Sequence, residues 1–225
     1  MAPVIGLSHI TNPLATPYQL QNTASQLDRI PGDLEVSIRF EGSRLIQAAG
    51  VLLHLPQELI AEAIIIFARF WLGPEGGSLA EYHAKVCMFK GAGRDCCFSI
   101  SGDQTIRTPG IGCIHNNRKW TSFGEKAFAH LNSALFSPQL LYLTHQPPSL
   151  ATAAIYLAAK EIGVKLPDEE WWEVFDVDRE ELGFLVVALI SMEGFIAEET
   201  QKWSKTKVPL TLEDVQAWID KEAQS

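Results

Sequence analysis

Residues 150–159 read LATAAIYLAA, and only Thr152 and Tyr156 among them carry polar side-chain atoms. As a helix this run has no polar face to give to water, so other helices must surround it. Half of its residues are alanine, which lets those neighbours come close. The chain is thereby committed to a multi-helix bundle with this segment at its centre. The surrounding sequence predicts a helix from Ser149 to about Ile162, ended by Gly163 and Pro167.

Helical spacing of apolar residues recurs elsewhere and supplies the ring. From Asp33, a fitting N-cap, Ile38, Leu45, Ala49, Leu52 and Leu53 form one stripe. Gly42 and Gly50 weaken that helix by roughly 1 kcal/mol each relative to alanine, so packing has to hold it. Pro56 opens a second helix and Gly73-Pro74 closes it, with the stripe Ile60, Ala63, Ile64, Phe67, Phe70 and Trp71. The short joint around Leu55 makes the two helices neighbours. A capping box, Ser78 with Glu81, starts a third. Order resumes near Phe123, where Ala127, Leu131, Ala134 and Leu135 make the stripe and Ser137-Pro138 breaks it. Asp178 caps a long helix through Leu182, Leu185, Val186, Leu189 and Met192, and Thr211 caps a short one carrying Val215, Trp218 and Ile219.

Two stretches break this order. Residues 1–31 are polar and punctuated by Pro3, Pro13 and Pro17, with at most a short helix near Pro17 to Gln26, and read as an arm or docking segment. From about Phe89 to residue 122 helical period is lost, and seven of the 16 glycines fall between Gly76 and Gly112. The run CCFSISGDQTIRT admits a small hairpin at Gly102-Asp103, with an irregular loop the preferred reading.

Charge sorts the possible partners. The net charge is −9, yet residues 168–225 hold 15 acids against 5 bases, which leaves the first 167 residues near neutrality. Such a surface repels phosphate backbones and attracts basic proteins, so no direct nucleic-acid contact is expected. With 47% hydrophobic and 20% charged residues the composition is that of a globular chain. The apolar stretches around residues 59–72 and 183–192 are too short or too charged to span a bilayer, and the N-terminus has no basic leader, so no membrane is expected. An intracellular, soluble protein follows, with Cys87, Cys96, Cys97 and Cys113 as reduced thiols.

Two stretches resemble the cyclin family, in its transcription-type and L-type members. GSRLIQAAGVLLHLPQELIAEAIIIFARFW (residues 42–71) is similar to the opening helix pair of a first cyclin box. SLATAAIYLAAKEIGVKLPDEEWWEVFDVDREEL (residues 149–182) is similar to helices three to five of a second box, alanine-rich central helix included. The resemblance implies an all-α fold of five-helix bundles in which the third helix is enclosed by the other four. It divides the chain into an N-terminal arm (1–32), a partial first box (33–90), an irregular insert (91–121), a complete second box (122–205) and a C-terminal helix (206–225). The departure lies between Leu72 and Phe123, where the family's alanine-rich third helix, its lysine and a later glutamate grip the kinase. Lys85 and Lys90 end no alanine-rich run, and Lys160 matches only the repeat in the second box.

Other chemistry finds little support. His83, Cys87, Cys96, Cys97, Cys113 and His115 could ligate zinc, but no Cys-x-x-Cys pair exists and adjacent Cys96-Cys97 chelates poorly. A Cys–His nucleophile lacks an orienting acid. KGAGRD lacks the third glycine of a dinucleotide fingerprint and the Gly-Lys-Ser/Thr of a phosphate loop. Trp171-Trp172 among Glu169, Glu170 and Glu173 could form a carbohydrate or peptide platform, though one indole in the bundle and one on its acidic rim is the plainer arrangement. The acids from Asp168 to Glu181 suit solvated helix starts better than a catalytic pair. The expectation is therefore a non-enzyme with no catalytic, cofactor or metal residues. The resemblance implies a nuclear regulatory subunit of a cyclin-dependent kinase, in RNA polymerase II transcription or RNA processing. The competing readings are a helical adaptor or non-activating isoform, and a general transcription factor of two cyclin-like repeats.

Overall fold

A computed structural model describes residues 14–79, 118–167 and 169–205, together with Ala217, and among these the chain is helical without a strand. Short α1 (Pro17–Gln21) and α2 (Ala24–Leu27) lead into long α3 (Gly32–Leu52) and α4 (Gln57–Phe70). After the undescribed segment come α5 (Arg118–Ala134), α6 (Leu141–Thr144) and α7 (Pro147–Ile162). A 3₁₀ turn (Trp171–Phe175) and α8 (Arg179–Lys205) complete the described order. The all-α, cyclin-like bundle expected from the sequence is the observed architecture.

The alanine-rich run is central as its composition requires. Residues 150–159 include no exposed position, and Ala153, Ala154, Ala158 and Ala159 are wholly buried. α5, α6, α8 and the 3₁₀ turn all pack against α7. Leu150, Leu157, Leu182, Leu185 and Leu189 fill the spaces between the alanines, and each buried leucine contributes about 2 kcal/mol. The helix begins at Pro147 rather than Ser149, because prolines in the first turn need no N–H acceptor. Gly163 ends it at φ +70°, a conformation that costs glycine little.

α3 and α4 form the first layer, but the buried side of α3 differs from the expected stripe. Leu52 and Leu53 are 60% and 69% exposed, Ala49 is exposed and Leu45 is half-buried. The packed face instead runs through Leu34, Ile38 and Gly42, with Glu35, Arg39 and Ser43 beside it and Gly50 at the far end. The glycines cause the rotation. A Cβ at Gly42 would lie 2.5 Å from Cζ of Phe67, and one at Gly50 the same distance from Cγ1 of Ile60, so α4 seats on α3 where side chains are missing. Residues that weaken the helix locally thus set its closest contact. Asp33 lies in the first turn rather than at the cap, which is Pro31. On α4, Ile60, Ile64 and Trp71 are buried as expected, whereas Ala63 and Phe70 face outward.

Two further differences concern helix length. α5 starts at Arg118, ahead of its apolar stripe, since extending a formed helix with polar residues costs little and leaves no periodicity to read. α8 starts as expected, with Asp178 Oδ1 accepting from the Glu181 amide at 2.7 Å, but runs on past Met192 to Lys205. Its 27 residues reach about 40 Å. Leu182, Leu185 and Leu189 serve the core around α7, and Met192, Ile196 and Trp203 serve the core around α3. One helix therefore sews both cores together.

The described part of the arm is anchored. Thr16 and Gln19 form a reciprocal capping box, the Ala15 amide donates to Leu143 O at 2.6 Å, and Gly73 N donates to Gln19 O at 3.1 Å. Thr23 and Ser25 are buried, and Ser25 Oγ accepts from Leu79 N at 3.0 Å. Beyond Leu79, the third helix with Glu81 lies outside the described residues, as does the helix from Thr211 with its stripe.

Candidate interaction site

Arg39 and Glu35 face each other one turn apart on the buried side of α3, at 3.3 Å. Glu35 also accepts from Thr23 Oγ1 at 2.7 Å, and Arg39 Nη2 donates to Pro138 O at 3.4 Å. Burial pushes the guanidinium below its ordinary pKa, while the Glu35 charge pulls it back up. Arg39 Nε is buried without an acceptor. The pair ties the arm, α3 and the loop before α6 into one junction. It floors a cleft of about 410 Å³ walled by Leu20, Val36, Leu72, Leu140 and Phe184. His145 stacks on Phe184 at the rim, with ring centroids 5.4 Å apart. In the lining the Thr144 hydroxyl lies 2.9 Å from His145 Nδ1, and among the described lining residues the one carboxylate, Glu35, is held by Thr23 and Arg39 and orients neither group.

A second polar cluster lies on the surface between α5 and α7. Lys126 Nζ and His130 Nε2 approach the two oxygens of Glu161 at 2.7 and 2.9 Å. Partial burial raises the Glu161 carboxyl, but the hydrogen bond from Lys126 and the charges of His130 and Lys126 outweigh it, so its pKa sits below the ordinary value. This is a brace for the central helix.

The third feature is the 3₁₀ turn. In such a turn residues three apart eclipse one another, so WWEVF divides into Trp171 with Val174, Trp172 with Phe175, and Glu173 alone. Trp172 packs on the core around α7. Val174 is 81% exposed and Phe175 46% exposed, with Trp171 half-buried between the Trp172 and Phe175 rings at 6.1 and 6.3 Å. The arrangement of one indole inward and one on the acidic rim is what the sequence suggested. The exposure of Val174 and Phe175 was not legible, because apolar residues beside a core-packed tryptophan read as core.

His83, His115, the four cysteines, KGAGRD and the Gly102-Asp103 run all lie outside the described residues, as do Lys85 and Lys90. Among the described residues no group of three His, Cys, Asp or Glu could hold a metal ion, and no helix is long and apolar enough to cross a membrane.

Comparison with known proteins follows the same lines. No family model matches the chain, and no solved structure does. The chain is 41% identical over 218 residues to Cyclin-L1-1 of Oryza sativa subsp. japonica, covering 72% of this chain and 50% of that protein. It is 23% identical over 226 residues to Cyclin-L1 of Danio rerio, covering 77% of this chain and 45% of the relative. A shorter match, 38% over 68 residues, links it to Cyclin-L1-1 of Arabidopsis thaliana, with 30% of this chain and 16% of the relative covered. The chain thus spans at most about half the length of these relatives. With its enclosed alanine-rich helix and its glycine-seated α3–α4 pair, the chain belongs to the cyclin family, in the L-type branch.

Proposed function

We propose that this chain is a regulatory subunit of a cyclin-dependent protein kinase that acts in RNA polymerase II transcription or RNA processing in the nucleus, without catalytic residues of its own. The observation that carries the reading is the 41% identity to Oryza Cyclin-L1-1 across 72% of the chain. The α3–α4 pair, the arm docked on it and the bundle around α7 are the surfaces such a kinase would meet. Stable, specific interfaces bury roughly 1,200 to 2,000 Å² and depend on a few central anchors. With a first box confined to residues 33–90, fewer anchors remain, so the grip is weaker than that of an intact cyclin. Co-purification with transcription-type kinases, followed by phosphorylation of a polymerase-tail peptide, tests this: weak but reproducible binding with partial activation is expected. A well-folded chain that binds no such kinase overturns it.

A further inference from the structure

Among the described residues, an apolar ledge on the 3₁₀ turn stands exposed. Large apolar side chains on monomers are commonly exposed singly, but Trp171, Val174 and Phe175 lie together on one five-residue turn, with Val174 81% exposed. Trp172, half-buried, packs on the core around α7 and so joins the turn to the bundle. Asp176, at φ +56°, ends the turn and sends the chain toward α8.

Charge decides what could cover this ledge. Residues 169–181 hold seven acids and one base. Asp178 is engaged in capping α8. Among the described residues, Glu169, Glu170, Glu173 and Asp176 enter no ion pair, so their field points outward around the apolar centre. A nucleic acid or an anionic lipid surface would be repelled. A second copy would set acid against acid at a two-fold contact. A basic segment instead gains Coulomb attraction at the rim, and an arginine can lay its planar guanidinium on the Trp171 ring.

We propose that the turn Trp171–Phe175 is a docking surface for an extended arginine- or lysine-rich peptide segment that also carries apolar residues. The apolar side chains meet Val174 and Phe175, and the cationic ones meet Trp171, Glu170, Glu173 and Asp176. Trp172 joins this surface to the core around α7, none of its residues lines the cleft at the Glu35–Arg39 junction, and the proposal does not rest on the kinase reading.

The test is fluorescence anisotropy of the full 225-residue chain with a labelled peptide alternating arginine and leucine. Saturable binding that weakens with added salt is expected. Val174→Ser and Glu173→Lys each weaken it by roughly tenfold or more, as central interface residues do. Glu62→Lys, an exposed acid on α4, leaves it unchanged. Because Val174 is exposed, its variant keeps the fold, and circular dichroism verifies this. Equal affinity for an arginine–serine peptide, or binding untouched by Val174→Ser, shows a general acidic surface and overturns the proposal. So does preference for single-stranded RNA or for anionic vesicles over the basic peptide.

Discussion

Replacing Gly42 by alanine sets two measurable effects against each other. Inside a helix the exchange should stabilise by about 1 kcal/mol, since glycine is the poorer helix former. At Gly42, however, the new Cβ would stand 2.5 Å from Cζ and 2.9 Å from Cε1 of Phe67. Carbon atoms rest about 3.5 to 4.0 Å apart, so the ring has to retreat by about 1 Å. Its retreat is hindered by Trp71, which is 1% exposed and meets Phe67 edge-on at 5.8 Å. Overpacking of this kind costs roughly 1 to 3 kcal/mol, which leaves a net loss of about 1 kcal/mol within a range of zero to two. The assay is urea unfolding of Gly42→Ala beside Gly194→Ala in α8, where a Cβ meets nothing within 4 Å. The Gly194 variant should gain up to about 1 kcal/mol. Combining Gly42→Ala with Phe67→Leu should recover part of the loss, a coupling that a double-mutant cycle reads directly. If Gly42→Ala stabilises as much as Gly194→Ala, the seating of α4 on α3 through glycine is wrong.

Three further substitutions or titrations probe other parts of the fold. Ala154→Trp, at a wholly buried site on α7, should lower stability by roughly 1 to 3 kcal/mol, and an unchanged urea midpoint would place this helix at the periphery. Trp203→Phe removes the donor that meets Ser37 O at 3.2 Å and Ser37 Oγ at 3.0 Å, and should cost about 1 kcal/mol in the same assay. Burial pushes the Tyr142 phenol up to about 12, and its hydroxyl donates to Leu131 O at 3.0 Å. The unfolded tyrosine ionises near 10, so this contribution is whole below pH about 10 and falls by about 2 to 3 kcal/mol as pH rises to 12. Tyr142→Phe should remove that part of the alkaline loss, and an identical alkaline profile in the variant would contradict the assignment.

The central helix was legible because ten residues without a polar face leave a chain no alternative, and the starts at Pro56 and Asp178 and the stop at Gly163 were legible because cap chemistry is local. The register of α3 was not. Its bulky residues suggested a stripe ending at Leu52 and Leu53, whereas the packing side is defined by missing side chains at Gly42 and Gly50 and by a buried ion pair. Apolar counting cannot see either device. The docking ledge was half legible: Trp171-Trp172 among acids drew attention, but which ring turns inward depends on the core around α7. Kinship with cyclins rested on two motifs, and these are the α3–α4 pair and the α7-to-α8 passage in the structure.

Trp203 closes its hydrogen bonds on Ser37 across 166 positions of sequence. Synthesis is vectorial, and leading segments generally fold as they emerge. Here the earliest long helix cannot complete its own core then, because Met192, Ile196 and Trp203 are among the last described residues to leave the ribosome. Ile38 and Phe40 gain their full cover only when this late helix arrives. Shortening α8 from its C-terminal end would therefore act on the first-made part of the protein before it affected the neighbouring bundle.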